Sequence, residues 1–378
     1  MKENLSSEET IKFQSIWQSV QKKLAVTSTR IGSRMPYIAI NHRYKDFGGQ
    51  HLNWWTNGFW GGIQWQLYHA TNTKVYLANA RAIETKLDTA LSDFDKLDHD
   101  VGFIWLNTAV ADYQITKNPD ALTRGIKAAD VLSARYNSVG QYLTAWNGVD
   151  KQGQVIVDCF MNLSLLYWAS QQTGDQHYAQ IANCHANTAM NALVRPDGSV
   201  NHIAVFDAKT GRFIHNLGGQ GYGLESAWAR GQAWAIYGLA LVYKNNHDSK
   251  YLEKAKSVAD FFIANVALND FVSVIDFRAP AEPKYYDTTA TAIAICGMLE
   301  LTNCLPALEG RMYRCAAKKM FLALSEDYVN FNEADDELLI KGSAKYSRKD
   351  DREVPIIYGD AFYLEALLRL LNLNLRIY

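Results

Sequence analysis

Asp100 and Asp158 are set in surroundings that suit acid–base work. Asp158 follows Val155, Ile156 and Val157 and precedes the apolar run from Cys159 to Ala169, so its carboxyl group is expected to be largely shielded from water. Asp100 stands beside His99 in Asp98-His99-Asp100-Val101-Gly102-Phe103, ahead of another apolar run. Desolvation disfavours the charged form of a carboxyl group, and a second carboxylate close by disfavours it further. A carboxyl that holds a proton near neutral pH is what a general acid needs. Asp is also a preferred helix N-cap, and that structural role is the expectation for Asp287 and Asp360.

Aromatic residues come next, with 10 Trp and 21 Tyr in 378 residues. Their flat faces with polar tips suit stacking on sugar rings, and equally suit a large core. Trp54, Trp55, Trp146, Trp228 and Trp234 are the candidates. Arg230 and Trp234 are four apart and share a helix face. An Arg in so apolar a segment needs an anionic partner. Either an internal carboxylate or a substrate carboxylate would serve, and the second is the sharper reading.

These residues need elements to position them, and the apolar periodicity is helical throughout. One kind of segment is amphipathic, as in Tyr251 to Ala267, where Tyr251, Leu252, Ala255, Val258, Ala259 and Phe262 share a face. The other kind is apolar nearly all round, as in Cys159 to Ala169 and Thr289 to Leu301, and a helix without a polar face must be buried. Six of the buried kind begin near Asn57, Asp100, Asp158, Glu225, Asp287 and Asp360. Amphipathic helices near 74–93, 119–135, 175–193, 248–267 and 307–327 separate them, and 8–25 supplies a sixth. Alternating inner and outer helices describe an all-α fold, the (α/α)6 barrel, over one domain spanning 1–378. In such a barrel the inner helices run the same way, so their polar and aromatic N-terminal ends meet at one mouth. Val200 to His215 reads as a hairpin around Lys209-Thr210-Gly211.

The remaining features mostly exclude. With 38 basic and 39 acidic residues, the chain lacks the charge for nucleic-acid binding. It has no apolar run long enough to span a bilayer. The start, Met1 to Phe13, lacks the pattern of a signal peptide, which points to the cytoplasm, or to the periplasm if a leader has been trimmed. Five scattered cysteines suit reduced thiols, and neither zinc-ligand spacing nor a dinucleotide fingerprint occurs. Gly218 to Gly223 has the wrong spacing for the latter. Neither a metal nor an organic cofactor is expected.

Six blocks of this sequence, in order, resemble the unsaturated glucuronyl hydrolases, glycoside hydrolase family 88. They are residues 53–62, 97–103, 157–169, 228–234, 287–294 and 358–367. The resemblance implies the same barrel and removal of a 4,5-unsaturated uronic acid from the non-reducing end of oligosaccharides left by polysaccharide lyases. Asp158 then matches the general acid/base, and Asp100 the second aspartate. Trp54, His99, Trp146, His202, Gln220, Arg230 and Trp234 fall where the family contacts the unsaturated sugar. Members acting on sulfated chondroitin or hyaluronan fragments carry Ser-x-x-Ser-x-Lys before the last inner helix. Here Ser347 and Lys349 match, but Ala344 replaces the first Ser, so a heparin- or heparan-derived fragment joins the chondroitin and hyaluronan ones as an expected substrate. Lys345, Arg348 and Lys349 would meet a sulfate, or form a solvated basic loop. The alternatives are an unsaturated rhamnogalacturonyl hydrolase acting on pectin fragments, an inverting glucanase on the same barrel, and a non-catalytic sugar-binding barrel. A monomer or weak homodimer is expected.

Overall fold

A computed structural model describes residues 6–378; residues 1–5, part of the stretch read for a signal peptide, lie outside the described residues. The chain alternates between helices buried all round and helices buried on one face. The buried set is Phe59–Thr71, the run 101–116, Cys159–Thr173, Ala229–Asn246, Thr288–Cys304 and Ile357–Leu370. The run 101–116 is one continuous helix whose middle turn, Leu106–Val110, is π-helical. Each inner helix packs on the next, and the last returns to the first, which closes the ring. Around it lie Ser7–Ile31, Lys74–Ser92, Pro119–Ser133, Gln176–Leu193, Ser249–Val266 and Ala307–Asp327. This is the expected (α/α)6 barrel.

Side-chain caps explain where several helices begin. Asn118, Asp175 and Asp248 each accept a backbone N–H two residues on. Ser6 and Glu9 form a reciprocal capping box that starts the first helix. Three boundaries depart from expectation. The first helix runs on to Ile31; the fourth inner helix starts at Ala229, because Glu225 sits in a loop at φ +58°; and Asp360 lies one turn inside its helix.

The barrel is plugged rather than hollow. Phe103, Trp234, Tyr237 and Phe362 converge on its axis, and the C-terminal Tyr378 stacks on Phe362 at 5.9 Å while its hydroxyl accepts from Asn107 at 2.8 Å. Such a floor leaves one end of the ring for a site. The Val200–His215 hairpin is present as Ile203–Phe206 and Phe213–Leu217. A third strand, Gln154–Ile156, joins it and was not foreseen. No helix of the described residues is long and apolar enough to cross a membrane. All five cysteines are free.

Candidate active site

The short sheet delivers one half of the site. Gln154–Ile156 pairs antiparallel with Ile203–Phe206, with Ile156 opposite Ile203, and the Val157 N–H donates to the His202 carbonyl at 3.0 Å. That register sets His202 beside Asp158 at the strand-to-helix junction. The outer strand ends at Leu217 opposite Ile203, which brings Gly219 and Gln220 to the other side of the imidazole. The Gln220 N–H donates to His202 Nδ1 at 2.8 Å. Nδ1 therefore carries no proton, and Nε2–H faces Asp158 Oδ2 at 3.6 Å. Gly219 sits at φ +59°, and a Cβ there would lie 1.9 Å from His202 Nδ1. Only glycine permits this approach.

The other half is built at the neighbouring inner helix. His99 Nδ1 meets the Ala145 carbonyl at 2.8 Å, so it is the protonated nitrogen, and Nε2 faces Asp100 Oδ1 at 3.2 Å. Burial lowers the His99 pKa and keeps the ring neutral. Burial first, then the charges of Asp98 and Asp158, raise the Asp100 pKa well above the usual carboxyl range. A protonated Asp100 can donate to the bare His99 Nε2, so the two effects agree. Asp98, His99 and Asp100 each present one ligand atom within 4.8 Å of the others, and His99 Nε2 has no hydrogen-bond partner.

Asp100 and Asp158 both occupy N-cap positions, and neither side chain caps its helix. Asp287, in the same position, does cap, accepting from the Thr289 and Ala290 N–H groups. The carboxyls of Asp100 and Asp158 are 14% and 13% exposed, and Asp158 Oδ2 is buried without a hydrogen-bond partner. Asn162, one turn beyond Asp158, donates from Nδ2 to Asp100 Oδ1 at 3.3 Å; its Oδ1 accepts the Phe103 N–H at 2.7 Å. The strongly raised group is thus Asp100, whereas the sequence pointed to Asp158.

The aromatic candidates divide. Trp54 and Trp146 are partly exposed at the mouth, with Trp146 edge-on to His99 at 5.8 Å and Trp54 edge-on to Tyr37 at 5.4 Å. Trp55 stacks toward Tyr358 at 5.0 Å. Trp228 and Trp234 are enclosed: Trp228 covers His202 at 4.2 Å, and Trp234 packs on Phe103 at 5.0 Å in the plug. Neither offers an open face for stacking.

Arg230 finds its anionic partner inside the protein. Its guanidinium pairs with Asp287 at 3.0 Å and donates to Gln220 Oε1 at 2.6 Å, the Ala344 carbonyl at 2.8 Å and the Ser343 carbonyl. It is 2% exposed. Its visible work is to tie the wall carrying Gln220 to the loop that carries Ser347 and Lys349. Both of those are exposed, and the Tyr346 N–H holds the loop to the Gln220 carbonyl at 3.0 Å. Asp360 accepts from the Leu339 N–H and the Tyr44 hydroxyl, and burial pushes its pKa up to about 7. Sequence reasoning missed Asn162, Gly219 and Tyr37. Asn162 lies within residues 157–169, four residues after Asp158, and that helical spacing is the available signal.

Acid–base groups gathered at the open end of a plugged helical barrel mark a glycoside hydrolase, and that is the class this fold and site define. More narrowly, the chain belongs to Glycosyl Hydrolase Family 88, whose model matches residues 29–366. It is 37% identical over 370 residues to an unsaturated glucuronyl hydrolase from Bacillus sp. (strain GL1), covering 94% of this chain and 97% of that one. The crystal structure of the unsaturated glucuronyl hydrolase from Bacillus sp. GL1 superposes with a TM-score of 0.90 at 34% identity, over 95% and 96% of the two chains. An unsaturated chondroitin disaccharide hydrolase from Streptococcus agalactiae serotype III (strain NEM316) is 35% identical over 92% of this chain and 88% of its own. A third relative, an unsaturated glucuronyl hydrolase specific for heparin, has a TM-score of 0.86 at 28% identity, over 95% of this chain and 96% of that one.

Proposed function

We propose that this glycosidase removes a 4,5-unsaturated uronic acid from glycosaminoglycan oligosaccharides by hydrating the vinyl-ether double bond. The observation that carries the reading is the pair of uncapped aspartates, Asp100 and Asp158, with Asn162 one turn past Asp158 donating to Asp100. In this mechanism Asp158 gives its proton to carbon 4, leaving an oxocarbenium ion at carbon 5. Its carboxylate then takes a proton from the water that adds there. The resulting hemiketal opens and releases the neighbouring sugar, with Asp158 protonated again. Arrival of the anionic uronate adds negative charge beside the two carboxyls, which favours retention of a proton there. His202 Nε2–H steadies Asp158 whenever that carboxylate is charged. Trp54 and Trp146 line the sugar's approach.

The names of the relatives support a glycosaminoglycan substrate, both chondroitin- and heparin-derived. Ser347 and Lys349 stand exposed on the tethered loop where a sulfate would lie, while Ala344 removes a hydroxyl from it. Reaction in D2O tests the chemistry: one deuterium should appear at carbon 4 of the released keto-acid. Deuterium-free product, or cleavage of saturated chains, would defeat the reading. Turnover of a rhamnogalacturonan fragment alone would move the substrate to pectin.

A further inference from the structure

Away from the aspartates, the turn between the paired short strands Ala39–Ile40 and Arg43–Tyr44 meets the loop ahead of the last inner helix. His42, Asp335 and Glu337 each present one ligand atom there, all within 4.8 Å of one another. His42 Nδ1 lies 2.6 Å from Glu337 Oε1 and 3.8 Å from Asp335 Oδ2. Glu337 is completely buried, and its second oxygen, Oε2, is enclosed without any hydrogen-bond partner. A buried carboxylate oxygen that lacks a donor is costly, and a cation relieves that cost.

The surroundings hold the three side chains in place. Asn330 Nδ2 donates to Asp335 Oδ2 at 3.0 Å and to Glu337 Oε1 at 3.1 Å, and Asn332 Nδ2 donates to Asp335 Oδ2 at 3.1 Å. Outer donors of this kind orient ligating carboxylates. The turn itself is stitched down, because the Asp336 N–H donates to the His42 carbonyl at 3.0 Å and Asp336 Oδ2 accepts the Tyr44 N–H at 2.9 Å. Lys23, Arg30 and Arg43 lie close by. Lys23 is engaged with the Asn332 carbonyl, and both arginines approach Asp336. Lys23 also interacts electrostatically with Glu337 and Asp335, so a bound cation would share these carboxylates with it.

We propose that His42, Asp335 and Glu337 form a site for one divalent transition-metal ion, with zinc as the representative. One imidazole and two carboxylates are a ligand set that such ions take. The His42 side chain is 64% exposed, so water can complete the coordination shell. A plain His42–Glu337 ion pair accounts for Nδ1 and Oε1 but leaves the buried Oε2 without a partner. The ion would clamp the hairpin to the loop that runs on to the Ser343 and Ala344 carbonyls gripped by Arg230.

Titration of the metal-free full chain with Zn2+ by calorimetry tests the site. Wild type should bind one equivalent saturably. His42→Ala, a change at an exposed side chain, and Glu337→Gln should each weaken binding about tenfold or more. Zn2+ should raise the melting temperature of wild type but not of His42→Ala. Absence of saturable binding by wild type, or equal affinity in His42→Ala, would overturn the proposal. Zinc captured by thiols would give that second result.

Discussion

Asn162 Nδ2 donates to Asp100 Oδ1 at 3.3 Å from a position one helical turn past Asp158, so the helix that begins at Asp158 also holds the Asp100 carboxyl. Its donation favours the charged form of Asp100 and opposes the effect of burial. Asn162→Ala should therefore raise the Asp100 pKa further and move the alkaline limb of the kcat/KM profile to higher pH. With one hydrogen bond worth ~1 kcal/mol, kcat should fall about five- to tenfold while KM changes little. A profile unmoved in midpoint would remove Asn162 from this role.

Asp100 also makes stability depend on pH in an uncommon direction. Its folded pKa lies above the unfolded value of about 3.9, so the folded state keeps a proton that the unfolded chain releases. Stability contributed by this group is then lost as pH rises from about 4 through the folded pKa. Asn does not titrate. Denaturation across a pH series should show Asp100→Asn gaining on wild type as pH rises. The gain should vanish near pH ~4. A difference independent of pH would contradict the raised pKa.

Arg230 is predicted to matter first for folding. Removing one partner of a buried pair typically costs about 3–5 kcal/mol, and Arg230→Ala strands Asp287, Gln220 and two carbonyls. Lysine cannot replace a planar fork with several donors in use, so Arg230→Lys should also lose stability. Urea unfolding measures both. Unchanged stability with a raised KM would instead assign Arg230 to the substrate's carboxylate.

The barrel was legible because helix burial is written in periodicity: a helix apolar all round, such as Cys159–Thr173, has nowhere to be but inside. Asp158 and Asp100 were legible for the same reason, as polar residues at the edges of apolar runs. Trp234 was not, because an aromatic at the mouth and one in the plug look alike in sequence. The partner of Arg230 lies 57 residues away in Asp287, a distance no local pattern reports. The strand Gln154–Ile156 is 3 residues long, too short to show alternation, yet its register is what brings His202 to Asp158.

Gly219 should tolerate no side chain. A Cβ 1.9 Å from His202 Nδ1 must push the imidazole away from Asp158 or break the Gln220 contact. Misplacement on the 1 Å scale costs about 100-fold in rate, and Gly219→Ala should approach that loss with a modest change in melting temperature. Near-normal turnover would show that His202 need not sit where it does.

Asp158 is proposed to deliver and recover the proton. Turnover of an unsaturated glycosaminoglycan disaccharide by Asp158→Asn, followed as loss of the double bond's ultraviolet absorbance, tests this most directly. The variant should keep its melting temperature and its affinity for the disaccharide while losing about 100-fold or more in kcat. Activity within a few-fold of wild type would contradict the role given to Asp158.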